Sequence, residues 1–447
     1  MIEPNQHIHI VGIGGAGMSA IALVLVQKGF HVSGSDRSAS DLTQALAAQG
    51  VRIHIGHAAE QVDGADLVLI SSAVRPDHVE VQAAHTRGIP VYKRSDVMAD
   101  IMAGQTTVAI AGTHGKTTTT SMAAHILITA KQEPSYIVGG VLRTTGVNAA
   151  YGRGKSFVIE ADEYDHMFLG LRPQVAVITN VEWDHPDFFP TPGALADAFA
   201  RFAALVPPSG RLIVCADDDG SRALGAARAR DGIPVTRYGI VHPEADWHAV
   251  DIRIEATRTR FAVTGFGGKL GEVELGVPGR HNVFEEAAAA LATFQGASRR
   301  FEQRGESDGV IVIDDYAHHP TAIRATLAAA RSRYPGSAIW AVWQPHTYSR
   351  TQTLLADFAE AFGGADHVLV TDIYAAREQP VPGVDAAWVA GCIDHADARG
   401  IATHDEVAAC LLAEVRPPAV IVIMSAGDAP QIGIEYLARK RAAEIGK

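Results

Sequence analysis

The stretch Ala111-Gly112-Thr113-His114-Gly115-Lys116-Thr117-Thr118-Thr119-Thr120 places a lysine and a run of threonines behind two glycines. Small residues let backbone N–H groups converge on an anion at the positive end of a helix. In such a turn the lysine reaches the β- and γ-phosphates and the hydroxyl after it sits on Mg²⁺. Gly112, Thr113, His114, Gly115, Lys116, Thr117 and Thr118 are therefore expected to cradle ATP, with Thr117 also a metal ligand. The strict P-loop spacing asks for a further glycine where Ile110 stands, so this is a shortened form. A solvated Gly/Thr turn is the plainer alternative, but the apolar run Thr106–Ile110 before it and the helical spacing after it favour the nucleotide.

Two further stretches carry groups suited to a Mg²⁺–ATP site. The run Lys155–Asp165 reads as a strand ending at Glu160, followed by Asp162, Glu163 and Asp165. The apolar strand Gln174–Thr179 ends in Asn180-Val181-Glu182-Trp183-Asp184-His185. Hard cations take oxygen ligands, and the phosphates and water complete the shell. Glu160 and His185 are expected to serve the metal or the substrate, from strand ends read as adjacent. An acidic run is more often a solvated face, but one at the end of a buried strand is less easily read that way.

A second glycine loop, Gly12-Ile13-Gly14-Gly15-Ala16-Gly17-Met18, follows the alternating strand His7–Val11 and precedes an apolar helix from Ser19 to Lys28. With the next strand ending at Asp36, it has the form of a βαβ dinucleotide fingerprint. Gly14, Gly15, Ala16, Gly17 and Met18 are expected at a diphosphate and Asp36 at a ribose hydroxyl. A dinucleotide and a UDP-sugar present the same diphosphate to the same backbone, so the loop alone does not choose between them. Ser71 and Ser72 end the strand Asp66–Ile70, where they either meet the ligand or cap the helix after Pro76.

Towards the C-terminus, Asp314-Asp315-Tyr316-Ala317-His318-His319-Pro320 and Gln344-Pro345-His346-Thr347-Tyr348-Ser349-Arg350 each follow an apolar strand. A single loop histidine is usually structural. Three histidines with an arginine, a tyrosine and two aspartates at neighbouring strand ends are expected to form a site.

These motifs need elements to hold them. A chain of 447 residues is too long for one core and suggests about three domains. The first, 1–104, continues in βα units through a short strand at Ile89–Tyr92. The second, 105–297, carries the P-loop, then the strand Arg211–Cys215, the helix Gly220–Arg230 and the strand Pro234–Tyr238. Its pattern then changes to the half-exposed alternation of Asp251–Thr257 and Gly271–Leu275. The third, 298–447, alternates strands at Gly309–Ile313, Ser337–Val342, His367–Val370, Gly400–Thr403 and Ala419–Met424 with helices, a third doubly wound sheet. The expected class is α/β throughout: a Rossmann-like first domain, a central P-loop ATPase-type domain and a Rossmann-like C-terminal domain.

Composition narrows the partners. The formal net charge of −12 argues against a nucleic-acid surface, though local cradles and Mg²⁺ still admit anionic small substrates. No apolar run approaches the ~18 residues of a membrane span, and residues 1–6 show no secretory pattern, so a cytoplasmic protein is expected. Cys215, Cys392 and Cys410 form no CxxC pair and read as core residues. A monomer or homodimer is expected.

Along nearly its whole length the chain resembles the Mur ligases of peptidoglycan synthesis. The resemblance rests on Gly12–Ser19, Gly112–Thr118, Glu160-Ala161-Asp162-Glu163, Asn180–His185, Gly279-Arg280-His281-Asn282, Arg299-Arg300-Phe301-Glu302, Asp314–Pro320 and Gln344–Thr351, in the family's order. It implies the branch that adds L-alanine to the lactyl carboxylate of UDP-N-acetylmuramate through an acyl phosphate, with ATP and Mg²⁺. The first glycine loop would then hold UDP rather than NAD, and Asn282 would contact adenine and Asp314 the ribose side. Tyr316, His318, His346 and Arg350 would shape the amino-acid end, with Lys116, His185, His346 and Arg350 as the catalytic set. Sister ligases carry a carbamylated lysine among the middle domain's acids; none stands here, as is thought for the alanine-adding branch. The chemistry implies closure of the third domain over ATP, which would keep water from the acyl phosphate.

One departure stands out: only Val283–Ser298 separate His281-Asn282 from Arg299-Arg300, as if a helix after Asn282 were missing. The runner-up within the family is the recycling ligase that joins a preformed tripeptide to the same UDP-sugar acid. A nicotinamide dehydrogenase would explain 1–104 but leave the P-loop idle.

Overall fold

The protein is described by a computed structural model over residues 2–3, 5–254, 258–265, 268–275 and 297–445. Asn282 and most of the junction before Arg299 lie outside the described residues. The strands form three sheets, one within each of the three stretches that the motifs mark out.

The first sheet is wholly parallel, in the order β3-β2-β1-β4-β5, from β1 (His7–Val11), β2 (His31–Asp36), β3 (Arg52–Ile55), β4 (Leu67–Ile70) and β5 (Val91–Lys93). Strand order reverses between β1 and β4, the place where such sheets open a ligand crevice. Helix α1 (Ala16–Gln27) leaves β1 at the glycine loop, starting three residues earlier than the sequence suggested. Its residues Met18–Leu25 are all buried, because its sequence is apolar on every side and it is covered on every side. Helices α2 (Asp41–Ala48), α3 (Val79–Thr86) and α4 (Arg94–Ile101) complete this layer.

The central sheet comprises β6 (Thr106–Ala111), β7 (Ser135–Ile137), β8 (Ala149–Ala150), β9 (Ser156–Glu160), β10 (Val175–Ile178), β11 (Arg211–Cys215), β12 (Val235–Gly239), β13 (Trp247–Ile254), β14 (Thr259–Gly265) and β15 (Gly268–Leu275). Its order is β15-β14-β13-β12-β11-β10-β6-β9-β7-β8. The P-loop strand β6 is thus flanked by β9 on one side and β10 on the other, in parallel. This corrects the reading that the Glu160 and Asn180–His185 strand ends are neighbours. They bracket the loop instead, a better arrangement for gripping it from both sides. Helix α5 (Lys116–Thr129) starts at the lysine itself, and β7 and β8 pack against α1.

The third sheet has the order β16-β17-β21-β18-β19-β20, from β16 (Glu302–Ser307), β17 (Val310–Asp315), β18 (Ala338–Trp343), β19 (His367–Val370), β20 (Ala398–Gly400) and β21 (Ala419–Met424). Strand β16 is antiparallel and bulged at Gln303/Gly305; its polar sequence gave no strand signal. The strand expected at Gly400–Thr403 lies earlier, because Thr403 caps the helix His404–Glu414 in a capping box with Glu406. Strand β21 is buried along its whole length and anchors the core of this domain.

By packing, the chain divides into two compact units: Met1–Trp183 with Pro192–His248 and Thr264–Leu270, and Asp184–Thr191 with Ala249–Val263 and Gly271–Lys447. No helix among the described residues is long and apolar enough to cross a membrane.

Candidate active site

In the first unit the phosphate loop is held by the chain that follows β10. Gly112 has φ +142°, and a Cβ there would overlap the Thr179 hydroxyl; Gly115, at φ +83°, begins α5. The Thr179 hydroxyl donates to the His114 carbonyl at 2.6 Å, and Asn180 Oδ1 accepts the His114 N–H at 2.8 Å. The Thr113 hydroxyl donates to the Glu182 carbonyl at 2.7 Å and accepts the Glu182 N–H at 2.9 Å. His114 Nε2 meets Glu182 Oε2 at 2.7 Å. The Thr113 and His114 side chains and their backbone N–H groups are therefore spent on fixing the loop's shape against the chain after β10.

Lys116 and Thr117 point at the acids after β9. Lys116 Nζ donates to the carbonyls of Gly112 (2.6 Å) and Thr113 (3.2 Å) and to Glu163 Oε1 (2.9 Å). Burial works to lower the lysine pKa, but Glu163, Asp162 and Glu160 together hold it above the usual range, so Lys116 is a cation. The Thr117 hydroxyl donates to Glu160 Oε1 at 3.0 Å, and Glu160 Oε2 accepts the Gly139 N–H at 2.6 Å. A hydroxyl oxygen and a carboxylate at the start of a phosphate-binding helix are oxygen donors of the kind Mg²⁺ takes. Thr118 is half-buried on the same turn.

The other glycine loop hangs on the end of β2. Gly12 and Ile13 N–H both donate to the Ser35 carbonyl at 2.9 and 3.0 Å, and Gly14 N–H donates to Asp36 Oδ2 at 2.8 Å. A Cβ on Gly14 would lie 2.8 Å from that carboxylate oxygen, so a side chain there would push the Asp36 carboxylate off the loop. Asp36, expected at a ribose, is bonded here to the loop and sets its form. Gly15 N–H turns back to the Gly12 carbonyl at 3.2 Å, and Ala16 O accepts Asn148 Nδ2 at 3.0 Å. Met18 is buried. Beside Gly17, 3.1 Å from where its Cβ would be, lies Arg94 Nη1, while Arg94 Nη2 bonds Asp162 Oδ2 at 2.6 Å. Ser71 Oγ faces Gly12, and the buried Ser72 Oγ has no partner among the described residues. The capping alternative for this serine pair falls away, because α3 is capped by His78.

The second unit gathers the expected amino-acid end around a buried arginine. Arg350, 2% exposed, donates from Nε to Asp184 Oδ1 at 2.7 Å, from Nη1 to His346 Nδ1 at 2.9 Å and from Nη2 to His185 Nδ1 at 3.2 Å. A guanidinium only donates, so both imidazoles accept through Nδ1. Burial alone would raise the Asp184 pKa, but His185 and Arg350 hold it well below the usual carboxylate range. His346 is pushed down to about 3 by burial and then by Arg350, so it is neutral. His318 is also held well below its usual value, by burial first and Arg350 second. Its Nδ1 donates to the Tyr316 carbonyl at 2.8 Å, which leaves the lone pair on Nε2. The Tyr316 ring has the guanidinia of Arg299 and Arg300 over it, each 5.2 Å from its centroid. Non-glycine residues at φ +55° (His185) and φ +64° (Thr347) mark local strain of the sort that gathers at working sites.

Asp314, the last residue but one of β17, is 2% exposed, with Oδ2 3.4 Å from Arg299 Nε and Oδ1 without a hydrogen-bond partner among the described residues. Burial raises its pKa to about 6 against the pull of Arg299 and Arg304. Its neighbour Asp315 is instead bonded to the N–H groups of Phe301 (2.7 Å) and Ala317 (2.8 Å), a structural task.

Sequence reasoning passed over three residues. Glu163 and Asp184 stand inside quoted motifs, and an acid next to a selected lysine strand or histidine was the available signal. Arg94 had none, since only folding brings α4 to the glycine loop.

Fold and site define a three-domain α/β protein with two phosphate-type loops and a histidine–arginine cluster on its third sheet. Family models match in order over 7–106 (Mur ligase family, catalytic domain), 110–293 (Mur ligase middle domain) and 299–427 (Mur ligase, glutamate ligase domain). The chain belongs to the Mur ligase family. It is 43% identical to the UDP-N-acetylmuramate–L-alanine ligase of Roseiflexus sp. (strain RS-1), over 96% of this chain and 98% of that protein. It is 42% identical to the protein of the same name in Pelotomaculum thermopropionicum, over the full length of both. Among solved structures it is similar to the UDP-N-acetylmuramate–alanine ligase of Thermotoga maritima, with TM-score 0.82 and 26% identity over 98% of this chain and 100% of that one. A murein peptide ligase from Psychrobacter arcticus superposes with TM-score 0.71 and 26% identity, over 98% and 99% of the two chains.

Proposed function

We propose that this protein joins L-alanine to the lactyl carboxylate of UDP-N-acetylmuramate at the expense of ATP, an early step of peptidoglycan synthesis carried out in the cytoplasm. The observation that carries this reading is the 42–43% identity, across 96–100% of the chain, to relatives named for that reaction. The site geometry supports it. Gly14 to Met18 would take the diphosphate of the UDP-sugar, with Arg94 as the nearby cation and Ser71 and Ser72 at the crevice. Gly112 to Thr118 would take the ATP phosphates, with Asp314 and Asn282 at the nucleoside.

A carboxylate is a poor electrophile, so the lactyl carboxylate first takes the γ-phosphoryl group and becomes an acyl phosphate, releasing ADP. Lys116, kept cationic by its acidic neighbours, spreads charge on the transferring group. Thr117, Glu160 and His185 would hold Mg²⁺, which when bound neutralises phosphate charge. The amine of L-alanine then attacks the acyl carbon, and the tetrahedral intermediate collapses to amide and phosphate. Arg350, fixed by Asp184, would carry positive charge to the acyl phosphate or the alanine carboxylate. His318 Nε2, with its free lone pair, would accept a hydrogen bond from the amine, with His346 and Tyr316 walling the pocket.

The test is ADP release by the purified protein with ATP, Mg²⁺ and UDP-N-acetylmuramate, supplying L-alanine, glycine, L-serine or the muropeptide tripeptide separately. Fastest release with L-alanine is expected. Release only with the tripeptide would move the protein to the recycling branch. Binding of the UDP-sugar without release for any acceptor would point to the short segment after Asn282.

A further inference from the structure

A chain of hydrogen bonds runs through the first domain's interior. His7 Nε2 and His9 Nδ1 both meet Ser33 Oγ at 2.8 Å. His9 Nε2 meets Glu80 Oε2 at 2.7 Å, the Ser35 hydroxyl donates to the same oxygen at 2.8 Å, and His57 Nδ1 meets Glu80 Oε1 at 2.7 Å. Glu80 is fully buried, at 0% exposure. A buried carboxylate is expensive unless its lone pairs are used, and here three donors use them. Those hydrogen bonds outweigh the burial that would otherwise raise its pKa, and hold it below the usual range.

The carboxylate only accepts, so His57 must carry its proton on Nδ1. In the neutral Nδ1–H ring the lone pair lies on Nε2, which makes no hydrogen bond among the described residues. His57, His78 and Glu80 also offer ligand atoms close enough to suggest a metal. Among the described residues, however, these atoms already have hydrogen-bond partners: the Glu80 oxygens accept from His9, Ser35 and His57, and His78 Nδ1 accepts the Glu80 N–H.

His57 lies two residues beyond β3, the neighbour of β2, at the same end of the sheet as the glycine loop. Gly56 N–H donates to the Asp36 carbonyl at 2.8 Å, while the side chain of Asp36 holds Gly14 and the Ser35 carbonyl holds Gly12 and Ile13. The diphosphate loop, His57 and Glu80 therefore hang on the same two residues, Ser35 and Asp36, at the carboxyl rim of the sheet. We propose that Glu80 is a positioning residue for the UDP-sugar: it clamps His57 through Nδ1 so that Nε2 accepts a hydrogen bond from the bound nucleotide. This rests on the assignment of the Gly12–Met18 loop to UDP.

Glutamine cannot replace Glu80 in this role. Whichever way the amide turns, its NH₂ faces one of the three donors. In Glu80→Gln the KM for UDP-N-acetylmuramate and the calorimetric Kd for UDP should rise on the order of tenfold, with kcat and the KM for ATP unchanged. His57→Ala should do the same, and the double variant should be no worse than His57→Ala alone, since both remove one contact. In the wild type, the ¹⁵N spectrum should show His57 as the Nδ1–H tautomer. Unchanged UDP affinity in a folded His57→Ala, additive losses in the double variant, or an Nε2–H tautomer each overturns the proposal. His57 is a quarter exposed, so its variant and the spectrum decide the matter even if Glu80→Gln does not fold. Failure of the wild type to turn over with L-alanine would overturn the functional reading instead, and the UDP measurements would still stand.

Discussion

Lys116 is held by two carbonyls of its own loop and by Glu163, so nucleotide phosphates must offer it a better partner than it already has. Lys116→Ala should cut kcat for ADP release by ~10²- to 10³-fold, the usual cost of one charge-stabilising donor. UDP-N-acetylmuramate affinity, read by calorimetry, should be untouched, because the two loops are separate. Asp314 makes a different kind of prediction. Its pKa is raised to about 6 from 3.8, so the folded protein holds that proton more tightly than the unfolded chain does. Its contribution to stability is thus full below about pH 3.8 and lost as pH rises through about 6, a swing of about 3 kcal/mol by linkage. In Asp314→Asn the drop in unfolding free energy between pH 4 and pH 7, measured by urea denaturation, should be smaller than in the wild type by about 2 kcal/mol, the part of that swing the interval covers. The candidate site residues Lys116, Thr117, Glu160, His346 and Arg350 could be singled out from the sequence by type and spacing. What was hidden is how each is held. Glu163, Asp184, Arg94 and Glu80 act on partners far along the chain or on another element, and no local pattern encodes that.

Among the elements, the turn from β6 into α5 depends most on a single residue. The space for a side chain at Gly112 is taken by Thr179, and its φ of +142° is one that L-residues avoid. Gly112→Ala should lower stability by about 1–3 kcal/mol and abolish detectable ATP binding, checked by thermal melting with and without Mg²⁺–ATP. Elements with strong apolar runs, such as β6, β10 and β21, were legible because burial on both faces leaves an unbroken hydrophobic signal. Strand β16, with Glu302, Gln303 and Arg304, was not, since an antiparallel edge strand can be polar on most of its length. Strand order was not legible either. Periodicity says that β9 and β10 exist, but only sheet assembly places β6 between them.

At the scale of the whole chain, the α/β architecture followed from alternating strands and helices, and the family from eight motifs in fixed order. Packing does not follow chain order so simply: the short segment Asp184–Thr191 belongs with the third sheet's unit although it continues a strand end of the central one. The bond from Arg350 to Asp184 spans 166 positions. A ribosome adding roughly 5–20 residues per second needs about ten to thirty seconds to cover that interval. During synthesis, then, both glycine loops can be complete while Asp184 still waits for its counter-charge, and the arginine that completes the cluster is among the last of its parts to be made.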